Sequence, residues 1–144
     1  MKLVVLDASV AIKWYVREDN SDEALELLDA KLLFFAPDLL FVEVAGALIR
    51  QHREYHQLTE DDVRRSIGDV LRAGIEVIPS RTLLSRAVEI ALALGHLVRD
   101  CFYLALAERW ESVMITADLQ LIEKARRANL EKYVIALANV GEII

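Results

Sequence analysis

Leu3-Val4-Val5-Leu6-Asp7-Ala8-Ser9 is the stretch on which the reading of the chain turns. Four apolar residues end abruptly in an acid, with a hydroxyl two residues on. The run is too short for an independent helix and has the character of a strand buried on both faces, as in the centre of a parallel sheet. Asp7 then stands at the carboxyl end of that strand, and Ser9 is placed to cap the helix that follows. Ligands of open α/β sheets bind in the crevice outside the carboxyl ends of the strands. Asp7 is therefore a carboxylate aimed at the functional cleft.

A second stretch repeats the pattern. Ser112-Val113-Met114-Ile115-Thr116 reads as another buried strand and leads through Ala117 into Asp118. Between the two, the sequence alternates strand-like and helical segments. Helices are expected at 9–15, at 21–32 behind Ser21-Asp22-Glu23, at 38–51, at 59–73 behind Thr59, at 81–94 before Gly95, at 99–110 and at 118–128. Further strands are expected at 34–37, at 75–78 near an edge, and at 133–137. Such alternation favours a three-layer α/β/α sandwich around a mainly parallel sheet.

Two more acids stand out by context. From Leu39 through Ile49 every residue is apolar or glycine except Glu43. A helix of that kind is expected to be buried on all sides, with Gly46 and Ala47 leaving space beside the carboxylate and Arg50 or Arg99 available as a partner. Asp100 opens another helix, ahead of the apolar run Cys101 to Ala107. Either Asp100 or Asp118 could be a helix cap and nothing more. Convergence of all four is the sharper expectation, and it has an electrostatic consequence. Two like charges 4 Å apart repel by roughly 4 kcal/mol at an effective dielectric of 20, against a net domain stability of ~5–15 kcal/mol. Such a cluster persists only if cations share it or protons neutralise it. All-oxygen ligands point to Mg²⁺ or Mn²⁺ rather than zinc, and carboxylate-held magnesium suits phosphodiester hydrolysis.

Composition narrows the choice further. The 144 residues carry a net charge of −6, 55% hydrophobic residues, five glycines, two prolines and one cysteine. One domain over 1–144, placed in the cytoplasm and with no membrane association, is the expectation. The acidic balance counts against a basic nucleic-acid-binding surface, unless cations offset the carboxylates. No glycine-rich phosphate loop is present. Cys101 reads as a small buried hydrophobe, and His52, His56 and His96 as surface or loop residues rather than ligands. A haloacid-dehalogenase-like phosphotransfer enzyme is the enzymatic rival, but it calls for an acid two residues after Asp7, where this chain has Ser9. A non-catalytic binding module is the rival of a different class, and four retained acids argue against it.

Taken together, Leu6-Asp7-Ala8-Ser9-Val10 with Lys13-Trp14, Pro37-Asp38-Leu39 leading to Glu43, Asp100-Cys101-Phe102-Tyr103-Leu104-Ala105-Leu106-Ala107, and Thr116-Ala117-Asp118 resemble a PIN-domain protein. The likeness is closest to the VapC toxins of toxin–antitoxin pairs. It spans nearly the whole chain, with Arg99-Asp100-Cys101 where Tyr-Asp-Ala is common. The resemblance implies a Mg²⁺- or Mn²⁺-dependent endoribonuclease acting on RNA, usually a homodimer, inhibited by a cognate antitoxin. It implies that Asp7, Glu43 and Asp100 are core metal ligands, that Asp118 is a more variable fourth acid, and that Ser9 and Thr116 orient acids or water. Lys13, Arg17, Arg50, Arg53 and Arg99 are then candidate RNA contacts. Trp14, Leu25, Leu28 and Leu32 are candidates for a surface covered by a second copy or by the antitoxin.

Overall fold

The computed structural model describes residues 1–144. Five strands, β1 (Lys2–Leu6), β2 (Leu32–Pro37), β3 (Glu76–Ile78), β4 (Met114–Thr116) and β5 (Val134–Ala136), form one sheet in the order β3-β2-β1-β4-β5. Every pairing is parallel. β1 is the central strand, as its apolar run requires, and Val4, Val5 and Leu6 are fully buried. β3, whose pattern alternates only partly, lies at an edge.

Seven helices connect and cover the strands: α1 (Ala8–Ala11), α2 (Ser21–Asp29), α3 (Leu39–Arg53), α4 (Glu60–Leu71), α5 (Leu84–Leu94), α6 (Val98–Arg109) and α7 (Leu119–Arg127). The layers form a three-layer α/β/α sandwich around the parallel sheet. α6 is its most buried helix. Cys101, Tyr103, Leu104, Leu106 and Ala107 are all sealed from solvent, and the helix packs against β1, β2 and β4. No single helix is long and apolar enough to cross a membrane.

Local signals set the helix ends. Thr59 caps α4 reciprocally: its Oγ1 accepts the Asp62 N–H at 3.0 Å while its own N–H donates to Asp62 Oδ2 at 2.9 Å. Gly95 ends α5 at φ +62°, a left-handed conformation that glycine adopts without steric cost. That turn reverses the chain and lets His96 face back across the start of α6.

Three expectations change. Helix α2 stops at Asp29, so Leu32 lies in β2, where it pairs with Lys2 and is buried. Trp14 is half-buried, its indole N–H donating to the Ala24 carbonyl at 2.7 Å and its ring lying edge-on to Phe34, so it offers a partner less surface than Leu25 and Leu28 do. Helix α3 is not buried on all sides. Leu40, Val44 and Leu48 face the core, but Val42 is 75% exposed. An apolar sequence allows burial of every face, yet the neighbours of α3 cover only one.

The strand order locates the cleft. The chain builds outward from β1 through β2 to β3, then crosses back to place β4 on the other side of β1. The switch point therefore falls between β1 and β4, where crevices of such sheets open. The register Val5↔Met114 and Leu6↔Ile115 brings Asp7 and Thr116-Ala117-Asp118 to the same end of the sheet.

Candidate active site

At that end a cleft of about 510 Å³ is lined by Asp7, Glu43, Asp100 and Asp118, together with Gly46, Arg50 and Arg99 among others. All four acids singled out in the sequence reach it: two from the ends of neighbouring strands, one from α3 and one from the first turn of α6. A second concavity, of about 600 Å³, opens at the opposite end of the strands. Its lining includes Lys2, Trp110, Lys132 and Tyr133, and Glu111 is its one acid.

Asp7 is 4% exposed. Ser9 Oγ donates to its Oδ2 at 2.6 Å and Thr116 Oγ1 donates to the same oxygen at 2.7 Å. Both hydroxyls also accept from the loop after β4, Ser9 Oγ from the Ala117 N–H at 3.1 Å and Thr116 Oγ1 from the Asp118 N–H at 3.0 Å. Two hydroxyls thus stitch the β1 and β4 loops together through one carboxylate. Ser9 does not cap α1, whose N-cap residue is Asp7 and which has no side-chain cap. Burial pushes the Asp7 carboxyl up to about 6, against the lowering effect of both hydroxyls and with the Asp100 and Glu43 charges adding to the rise.

Thr116 is fully buried. Thr116→Val would strand the Asp118 N–H and remove one of the two donors to Asp7. It is expected to destabilise the chain by about 1–3 kcal/mol in urea denaturation, the cost of an unmade buried hydrogen bond.

Glu43 is held by Tyr103, whose hydroxyl donates to Oε1 at 2.7 Å. Burial raises the Glu43 carboxyl, and Asp100 adds to that, while the Tyr103 bond and Arg99 pull it back. Burial, with the Asp7 and Glu43 charges, drives the Tyr103 phenol far upward, so it remains a donor. Of the two candidate partners, Arg99 is the one beside Glu43: its Nε lies 3.8 Å from Glu43 Oε2 and 3.9 Å from Asp100 Oδ1. Arg50 pairs with Glu54 instead, at 4.0 Å.

Asp118 has two separate engagements. Its Oδ1 caps α7 by accepting the Leu121 N–H at 3.1 Å, and its Oδ2 lies 3.1 Å from His96 Nε2. The same nitrogen stands 2.9 Å from Asp100 Oδ2. His96 lies in the loop between α5 and α6, one of the two places the sequence allowed, but its side chain is only 7% exposed. His96, Asp100 and Asp118 bring potential ligand atoms within 4.8 Å of one another, a cluster that could hold a metal ion. Asp7 and Glu43 line the same cleft outside that closer group, each drawn to its own hydroxyl donors. Two sequence cues were available for the missed residues: His96 precedes Asp100 by four positions, one helical turn, and Tyr103 follows it by three.

The candidate RNA contacts divide. Arg50 and Arg99 line the cleft. Lys13 does not: it is buried and paired with Glu18 at 3.0 Å, and Arg17 is paired with Asp22 at 2.7 Å. Cys101 is buried and unpaired, its thiol pushed up to about 11 by burial. It is a core residue, as expected.

Comparison with known proteins identifies the family. The sequence matches the PIN domain over residues 4–127. It is 33% identical to Ribonuclease VapC3 of Pyrobaculum aerophilum over 126 residues, 86% of this chain and 95% of that protein. It is 32% identical to Ribonuclease VapC9 of Mycobacterium tuberculosis over 119 residues, 83% of this chain and 88% of that one. Among solved structures, PAE2754 from Pyrobaculum aerophilum shares the fold with a TM-score of 0.69 at 21% identity, covering 96% of this chain and 86% of its own. A toxin–antitoxin complex from Klebsiella pneumoniae shares it with a TM-score of 0.61 at 16% identity, covering 93% and 97%. With that match over residues 4–127, the chain belongs to the PIN-domain family.

Proposed function

We propose that the chain is a divalent-metal-dependent endoribonuclease that hydrolyses RNA phosphodiester bonds, and that it is the toxin of a toxin–antitoxin pair. The observation that carries this reading is the convergence of Asp7, Glu43, Asp100 and Asp118 on one cleft at the sheet's switch point. Its relatives named as VapC ribonucleases support the same activity. The toxin assignment draws on those names and on the toxin–antitoxin complex that shares the fold.

The donor set fits a hard divalent cation. Carboxylate oxygens dominate the cleft, and Arg99 reaches Glu43 and Asp100 only at 3.8 and 3.9 Å. Asp7, Glu43 and Asp100 would hold Mg²⁺ or Mn²⁺, with Asp118 contributing a fourth acid. When bound, the ion supplies Lewis-acid stabilisation of the phosphoryl oxygens and acidifies water for attack. The chain's own groups do the remaining work. Ser9 and Thr116 fix Asp7, Tyr103 fixes Glu43, and Arg99 and Arg50 offer guanidinium donors to the RNA backbone at the mouth of the cleft. The exposed apolar side chains of Leu25 and Leu28 are assigned to contacts with a second copy or with the antitoxin.

Thermal melting tests the metal assignment. The metal-free chain should gain stability with Mn²⁺, by about 2.7 kcal/mol when the ion is at 100 times its Kd, and EDTA should reverse the gain. A melting temperature indifferent to Mn²⁺ and Mg²⁺ would refute the assignment.

A further inference from the structure

His96 sits among the acids with a lysine behind it. Lys124 Nζ donates to the Gly95 carbonyl at 3.0 Å and lies 3.1 Å from His96 Nδ1. The opposite ring nitrogen, Nε2, faces Asp100 Oδ2 at 2.9 Å and Asp118 Oδ2 at 3.1 Å. The chemistry of these partners assigns the ring's hydrogen-bond roles. A lysine ammonium only donates, so Nδ1 accepts; carboxylates only accept, so Nε2 carries the proton. One N–H is then shared between two carboxylates that would otherwise repel. A nitrogen that carries its proton has no lone pair for a metal. The closeness of His96 to the acids therefore has a meaning other than coordination.

We propose that His96, locked by Lys124, is a positioning residue: its Nε2–H aligns the Asp100 and Asp118 carboxylates for the cation without itself binding it. The inference rests on the reading of these acids as a divalent-metal site. The sequence context explains how the brace is built. The left-handed turn at Gly95 ends α5 and aims His96 across the first turn of α6. Asp118 is pinned from its other oxygen by the α7 N-terminus. Lys124 comes from the second turn of the same helix, so α7 supplies both an acid and the lock on its donor. Outer-sphere hydrogen bonds of this kind orient metal-binding side chains and typically govern metal affinity by about 10–100-fold.

Imidazole ¹⁵N NMR of the full chain, without metal and saturated with Mg²⁺, reads the proton directly. It should show His96 protonated at Nε2 in both states. Mn²⁺ calorimetry supplies the second readout. His96→Ala should weaken binding by about 10–100-fold, while His96→Gln, whose amide N–H can reach the same carboxylates, should recover most of the loss. Lys124→Met should let both tautomers appear and weaken binding by a smaller factor. Loss of the Nε2 proton on Mg²⁺ addition would make His96 a ligand and overturn the proposal. So would a folded His96→Ala with the parent's Mn²⁺ affinity, or a His96→Gln no better than His96→Ala. A parent chain that binds no Mn²⁺ would instead fail the metal-site reading, and this inference would fall with it.

Discussion

Asp7→Asn and Asp100→Asn should each lower RNA cleavage by more than about 100-fold while leaving the fold intact. Residues that merely orient metal ligands typically account for about 10–100-fold in metal affinity or activity, so a direct ligand should exceed that range. The substitutions are nearly isosteric. The Asn oxygen at position 7 can still accept from Ser9 and Thr116, which both converge on Oδ2 in the parent. What disappears is the charge. At position 100 the same change removes a charge beside Glu43 and Asp118 while its oxygen can still accept from His96. Steady-state cleavage of total RNA with saturating Mn²⁺, paired with circular dichroism, checks both halves. Variants as active as the parent would mean that these acids are structural.

The second large effect concerns stability and carries a pH signature. Burial pushes the Asp7 carboxyl from its ordinary 3.8 to about 6, so at neutral pH its charged form costs the metal-free fold about 3 kcal/mol. The sign is set by proton uptake. Between pH 4 and 6 the folded chain retains on Asp7 a proton that the unfolded chain has lost, so this group's stabilising contribution is full below pH 4 and fades as pH rises through 6. Glu43, raised by burial, acts in the same direction. Asp7→Asn should therefore stabilise the metal-free chain by up to about 3 kcal/mol at pH 7.5, by about 1 kcal/mol at pH 4.5, and by little below pH 4. Urea denaturation of parent and variant in EDTA at those pH values measures it. A buried acid serving a structural ion pair would behave oppositely, its removal typically costing about 3–5 kcal/mol.

The convergence of the four acids was legible in the sequence because they lie where periodicity breaks. Asp7 and Asp118 follow apolar runs that had to be central strands, and the parallel register then brings them to one end of the sheet. Glu43 was conspicuous because its helix has no other charge between Leu39 and Ile49. What could not be read was set by tertiary contacts. His96 lies 22 residues from Asp118 in the chain and meets it only through the turn at Gly95 and the placement of α7. Ser9 looked like a cap because local patterns favour that reading, but the loop after β4 offers it a partner 108 residues away. Burial of α3 was overestimated for a related reason: hydropathy shows which faces could be buried, and packing decides which are. Val42 exposes what the neighbours leave uncovered.

If the acid cleft is a metal-dependent ribonuclease site, RNA cleavage should follow both the ion and the acids. Total cellular RNA is incubated with the purified full chain in Mg²⁺ or Mn²⁺, in EDTA, and with Asp7→Asn and Asp100→Asn in place of the parent. The parent should cleave internally with either metal, not at all in EDTA, and again when metal is returned, while both variants should be nearly silent. Undiminished cleavage in EDTA, or variants that cut as the parent does, would contradict that reading of the cleft.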